Sequence, residues 1–141
     1  MKYTPQQTTI ILVTVCTEGR QTWAACDEVH RILREVWQEA TGWLVGYYEI
    51  MPDHLHYFTT YGMMDTSLEK WSQYWKSQFT KRYRFPDRRW QTDHWDTRIR
   101  SAEHYADRLE YIRNNAFRKN LVEKPDEWPY QGIIHDIRWE S

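Results

Sequence analysis

The chain has 141 residues, a formal net charge of −1, nine tryptophans and ten tyrosines. That length fits a single domain, residues 1–141, whose core needs no disulfide or metal staple, and the near-neutral charge argues against a broadly basic nucleic-acid surface while leaving a local patch open. Cys16 and Cys26 lack metal-type spacing and read as reduced thiols, and neither a signal-peptide core nor a membrane-length apolar run is present, so the expected setting is cytoplasmic, with no membrane partner.

Thr8 to Cys16, TTIILVTVC, is β-branched and apolar almost throughout, which predicts a buried strand. Asp27 can cap a helix to about Ala40, with Val29, Leu33, Val36 and Trp37 at helical spacing and Gly42 closing it. Residues 43–51, WLVGYYEIM, and 54–61 read as two strands joined by Pro52-Asp53, hence a hairpin. Thr66-Ser67-Leu68-Glu69 is a capping box for a helix to about Tyr83. Its apolar seam is Leu68, Trp71, Trp75 and Phe79, opposite Lys70, Gln73, Ser77, Lys81 and Arg84. Phe85-Pro86-Asp87 breaks the chain, and a short strand can follow near Trp95 to Arg100. Ser101 caps a last long helix to about Asn115 or slightly beyond, and the tail, with Pro125 and Pro129, reads as irregular. The order strand, helix, strand, strand, helix, strand is the α+β, ferredoxin-like split βαβ pattern, with an added C-terminal helix. It predicts one antiparallel sheet with two helices on one face.

Three features could carry chemistry. His54 and His56 lie two apart on a strand and so share a face, where two imidazoles can hold one divalent cation. Taken alone, such a pair more often belongs to a solvent-facing or core strand, and no third histidine or cysteine stands at zinc spacing. On the last helix, Tyr105, Leu109, Ile112 and Ala116 form an apolar seam. His104, Arg108, Tyr111, Asn115 and Arg118 form a second. A tyrosine flanked by arginines and an amide oxygen suits attack on phosphate, and an ordinary solvated helix face would show the same spacing. Finally, Lys76, Lys81, Arg82, Arg84, Arg88, Arg89, Arg98 and Arg100 oppose only Asp87, Asp93 and Asp96, with Trp75, Tyr83, Phe85, Trp90 and Trp95 interleaved. Cations for a backbone and rings for bases suit single-stranded nucleic acid, while a charged loop and helix face would read alike.

Together these stretches resemble the single-tyrosine HUH transposases of the insertion-sequence-200-like group, especially the REP-associated tyrosine transposases. The matching segments, in order, are YYEIMPDHLHYF, WKSQFTKRY, RWQTDHWDTRIR, YIRNNAFRKNLV and DEWPY. The resemblance implies a ferredoxin-like HUH domain with Tyr111 as nucleophile and His54, His56 and Asn115 as ligands of magnesium or manganese. It implies cleavage and rejoining of single-stranded DNA beside imperfect palindromic hairpins, in a bacterial, nucleoid-associated setting, by a monomer or homodimer. DNA contacts would fall to the basic residues above with Trp90, Arg108 and Arg118. Ala116 stands where the family's YI-x-x-NP motif has proline, so the helix is expected to run on past Asn115. A hairpin-binding protein with weakened catalysis and a small-phosphoester hydrolase using the same histidines are the alternatives.

Overall fold

In this computed structural model, which describes residues 9–139, five strands form one sheet in the order β4-β1-β3-β2-β5, every neighbouring pair antiparallel. The strands are β1 (Ile11–Cys16), β2 (Trp43–Met51), β3 (His54–Tyr61), β4 (Trp95–Arg98) and β5 (Gln131–Ile133). The helices are α1 (Asp27–Glu39), α2 (Leu68–Arg82), α3 (Ala102–Arg113) and the single turn α4 (Asn115–Arg118). The first four strands reproduce the expected split βαβ arrangement; Thr8 lies outside the described residues.

One sheet face presents Val13, Val15, Tyr48, Ile50, Leu55 and Tyr57 to Val29, Leu33, Val36 and Trp37 of α1 and to Trp71, Trp75 and Phe79 of α2. Both expected helical seams are thus buried on the same side. A buried aromatic ring contributes roughly 4–6 kcal/mol as an upper estimate from area, against about 1–3 kcal/mol for a stacked base. The core therefore takes most of the tryptophans, Trp90 included, which packs on Trp23, Trp75 and Phe79. The other face carries Tyr47 and Phe58, on which Ile112, Tyr105 and Leu109 of α3 close.

Several boundaries differ from expectation. Cys26, not Asp27, caps α1, and it does so without a side-chain bond. Asp27 takes the first helical position, where its Oδ1 accepts from the Tyr130 hydroxyl at 3.1 Å. In the second helix Ser67 is the capping residue, its Oγ accepting from the Lys70 N–H at 3.1 Å. Ser101 caps α3 as expected, accepting from the His104 N–H at 3.0 Å. The long C-terminal helix is broken at Asn114, whose ψ of 1° leaves the helical range and whose Nδ2 donates to the Glu110 carbonyl at 2.8 Å. The tail is not irregular throughout, because Gln131–Ile133 pair with Glu49, Tyr48 and Tyr47 of β2. Beyond that pairing the chain presses on Gly46, where a Cβ would lie 2.5 Å from Cγ1 of Ile137. Three paired residues are too few to show a period-two pattern, which is why the strand was hidden.

Candidate active site

The Pro52-Asp53 turn fixes the hairpin register. Met51 pairs with His54, so Glu49 pairs with His56, and across β3 the same histidines face Cys16 and Thr14 of β1. Directly opposed residues share a face, so His54 and His56 stand on the α3 side of the central strand, ring centroids 4.8 Å apart.

Each ring is held through Nδ1. His54 Nδ1 lies 2.7 Å from Asp53 Oδ1, and a carboxylate can only accept, so the proton sits on Nδ1. Arg20 clamps the other carboxylate oxygen, 3.1 Å from its Nε. His56 Nδ1 lies 2.8 Å from Thr14 Oγ1, which accepts when that nitrogen is protonated. Both Nε2 atoms then keep their lone pairs, and the carboxylate–imidazole pair raises ligand basicity. Burial lowers the His54 pKa, against the pull of Asp53. Burial, helped by His54 and Arg118, depresses His56 to about 3. Both rings are therefore neutral near pH 7, the form that binds metal.

The break at Asn114 brings α4 onto the same end of the sheet. Ala116 packs on Met51, the cross-strand partner of His54, and on Trp128. Asn115 is buried, and its Oδ1 accepts from Arg118 at a long 3.4 Å. Tyr111 is 52% exposed, with the guanidinium of Arg108 4.7 Å and that of Arg118 3.9 Å from its ring centroid. Arg118 also donates to the Tyr111 carbonyl at 2.7 Å. The structure thus assembles His54, His56, Asn115, Arg118 and Tyr111 from two distant segments.

Glu49 is a member of this group that the sequence reading missed. Its carboxyl is fully buried, and neither oxygen meets a donor with hydrogen-bond geometry among the described residues. Burial raises its pKa to about 7, with Asn115 and Arg118 pulling the other way. Hairpin register alone could have found it, because a two-residue turn at Pro52-Asp53 sets Glu49 opposite His56. Among the described residues no three His, Cys, Asp or Glu side chains form a metal-holding group. The groups on this face able to hold a hard divalent ion include the two Nε2 atoms and the Asn115 amide oxygen.

The basic residues separate into distinct places. Lys76, Lys81, Arg89 and the edge of Trp90 line one cleft of about 360 Å³ beside α2. There Lys76 donates to the carbonyls of Gln91 and Thr92, at 2.9 and 3.0 Å, and burial lowers its pKa to about 8. Arg82 is tied to Glu39 at 2.7 Å, and Arg88 lies over Phe85, 4.1 Å from its centroid. Arg84, Arg98 and Arg100 are exposed and outside that cleft, whereas Arg108 and Arg118 accompany Tyr111 on the other side of the sheet.

A split βαβ sheet with a histidine pair on its middle strand and a tyrosine–asparagine helix on the same face is the arrangement implied by the sequence resemblance. Comparison with known proteins points the same way. The chain is 29% identical over 104 residues to an inferred REP-associated tyrosine transposase of Haemophilus influenzae, a match covering 64% of this chain. The chain spans only 59% of that relative's length. Among solved structures, a REP-associated tyrosine transposase bound to a REP hairpin superposes over the whole chain and 98% of its own, with a TM-score of 0.75 and 18% identity. A protein of Deinococcus radiodurans inferred to be a transposase superposes over 86% of this chain and 97% of its own, with a TM-score of 0.55 and 17% identity. No family model matches the chain. The fold is that of the REP-associated tyrosine transposases, and the resemblance read from the motifs is borne out. Among the described residues no helix is long and apolar enough to cross a membrane.

Proposed function

We propose that the chain is a tyrosine transposase that cuts and rejoins single-stranded DNA beside an imperfect hairpin. The observation that carries this reading is the packing of Ala116, the residue after Asn115, against Met51 at the sheet end that bears His54 and His56. The hairpin substrate is proposed from the solved relative, whose structure holds a REP hairpin.

Tyr111 is accessible, and its phenol oxygen attacks phosphorus in line. The bond to the 3′ oxygen breaks, leaving a 5′-phosphotyrosine and a free 3′-hydroxyl, and the phenolic proton passes to solvent or to the departing oxygen. Arg108 and Arg118, already beside the ring, meet the non-bridging oxygens and offset the charge that builds there. His54 and His56 through Nε2, with Asn115 through Oδ1, would hold magnesium or manganese, which supplies Lewis-acid polarisation of a phosphoryl oxygen when bound. A phenolate is a fair leaving group, with a reference pKa near ~10, so a second 3′-hydroxyl can reverse the step and join a different strand.

The test is a hairpin oligonucleotide with a single-stranded flank, incubated with manganese and resolved under denaturing conditions. The wild type should form a covalent adduct that Tyr111→Phe abolishes while hairpin binding survives. An adduct that persists in Tyr111→Phe removes Tyr111 as nucleophile, and full cleavage in EDTA removes the metal. A hairpin-binding protein without cleavage is the second reading. One contact favours it, because the Asn115 oxygen needed by a cation is shared with Arg118. It predicts binding with no adduct in any divalent ion.

A further inference from the structure

Of the nine tryptophans, seven are buried and Trp139 is half-buried, whereas Trp95 is 64% exposed on the edge strand β4. Register explains where that ring stands. Trp95 pairs with Thr14, and Thr14 pairs with His56, so the three form one row on one face of the sheet. With strands about 4.8 Å apart, the backbone of Trp95 is about 10 Å from that of His56, a gap that a short stretch of single strand bridges. Only Thr14 lies between them, and its hydroxyl is already tied to His56. Phe85, the other exposed ring of the basic stretch, is covered by Arg88. Trp90 and Trp75 are closed in the core.

An indole left in water on an edge strand could also meet a second copy of the chain. β4 is a poor template for that: it is four residues long, exposed throughout, and carries Asp96 and Arg98 on its other face. Bare aromatic surface within reach of a phosphate-handling centre matches a nucleobase better.

We propose that Trp95 is a stacking platform for one unpaired nucleobase close to the scissile phosphate. This rests on the transposase reading and adds a contact for the single-stranded flank to it. Stacking of this kind is sequence-tolerant and strengthens binding of single-stranded DNA only.

The experiment couples a protein change to a DNA change. Hairpins with a single-stranded flank carry one abasic site at successive flank positions, and binding to wild type and Trp95→Ala is followed by fluorescence anisotropy. Trp95→Ala should weaken the intact flanked hairpin by roughly 5- to 150-fold, leave a blunt hairpin unchanged, and be largely rescued by Trp95→Phe. At one flank position the abasic site should cost wild type the same factor and cost Trp95→Ala almost nothing. Equal affinities for the flanked hairpin, or losses that multiply independently at every position, overturn the proposal. So does a dimer that sediments in wild type and disappears in Trp95→Ala, which assigns the ring to a second copy. Abasic coupling without any Tyr111 adduct keeps the platform and rejects the transferase; an adduct without coupling does the reverse.

Discussion

Glu49 and His56 face each other across β2 and β3, one a buried carboxyl near the Asn115 amide whose oxygens meet no donor with good hydrogen-bond geometry among the described residues, the other an imidazole held through Nδ1. A buried, unsatisfied carboxyl normally destabilises a fold, and at an active site that cost is the usual sign of a residue kept for function.

The pH dependence of stability follows from the direction of its shift. Folding raises the Glu49 pKa from 4.5 to about 7 because burial penalises the charged form. The folded chain therefore holds this proton more tightly, so the contribution is fully present below about pH 4.5 and is lost as pH rises through 7. The loss is on the order of 3 kcal/mol. In EDTA, wild type minus Glu49→Gln should show stability falling by that amount between pH 4.5 and 8 in denaturant melts. Parallel curves for the two proteins would remove the assignment.

Asp53 acts on the other histidine. It accepts from Nδ1 of His54 and is itself clamped by Arg20, so it fixes the ring that would present Nε2 to a cation. Asp53→Asn can keep the shape and loses the charge. Manganese affinity measured by calorimetry should fall by about 10- to 100-fold, the usual cost of an outer-shell partner, with little change in hairpin binding. Unchanged affinity would mean that His54 does not ligate metal.

Much of this site was legible in the chain, for reasons that differ residue by residue. Strand periodicity put His54 and His56 on one face, and helical periodicity put Tyr111 and Asn115 on another, because each pattern is local. That Ala116 seats on Met51, and so brings the helix to the histidines, is a tertiary contact that no local spacing encodes. The aromatic-basic stretch misled for a related reason. Trp90 and Trp95 look alike in sequence, yet one packs on Trp23 in the core and the other lies exposed in the row of His56. β5 was hidden because its three residues become a strand only by pairing with β2.

Arg118 holds two roles that one substitution can separate. It shares the Asn115 oxygen and it lies over Tyr111, 3.9 Å from the ring centroid. Arg118→Ala frees the amide for a cation and removes a positive charge that depresses His56. Manganese affinity should hold or rise, while the rate of adduct formation drops on the order of 10- to 100-fold through lost stabilisation of phosphate charge. A fall in manganese affinity would show instead that Arg118 orients Asn115 for binding.

Ala116 offers the sharpest check on the absent family proline. The helix does not run straight on past Asn115, because Asn114 already breaks it and α4 begins afresh. Position 116 lies in the first turn of that new helix, where proline is tolerated since the N–H would lack a partner within the turn. The same side chain is fully buried against Met51 and Trp128, so a pyrrolidine ring must be accommodated there. Ala116→Pro should therefore cost about 1–3 kcal/mol by overpacking, seen in denaturant melts, and leave manganese affinity within about threefold of wild type. A gain of tenfold or more in affinity would show that Asn115 is held out of place by the missing proline, and that the break at Asn114 does not replace it.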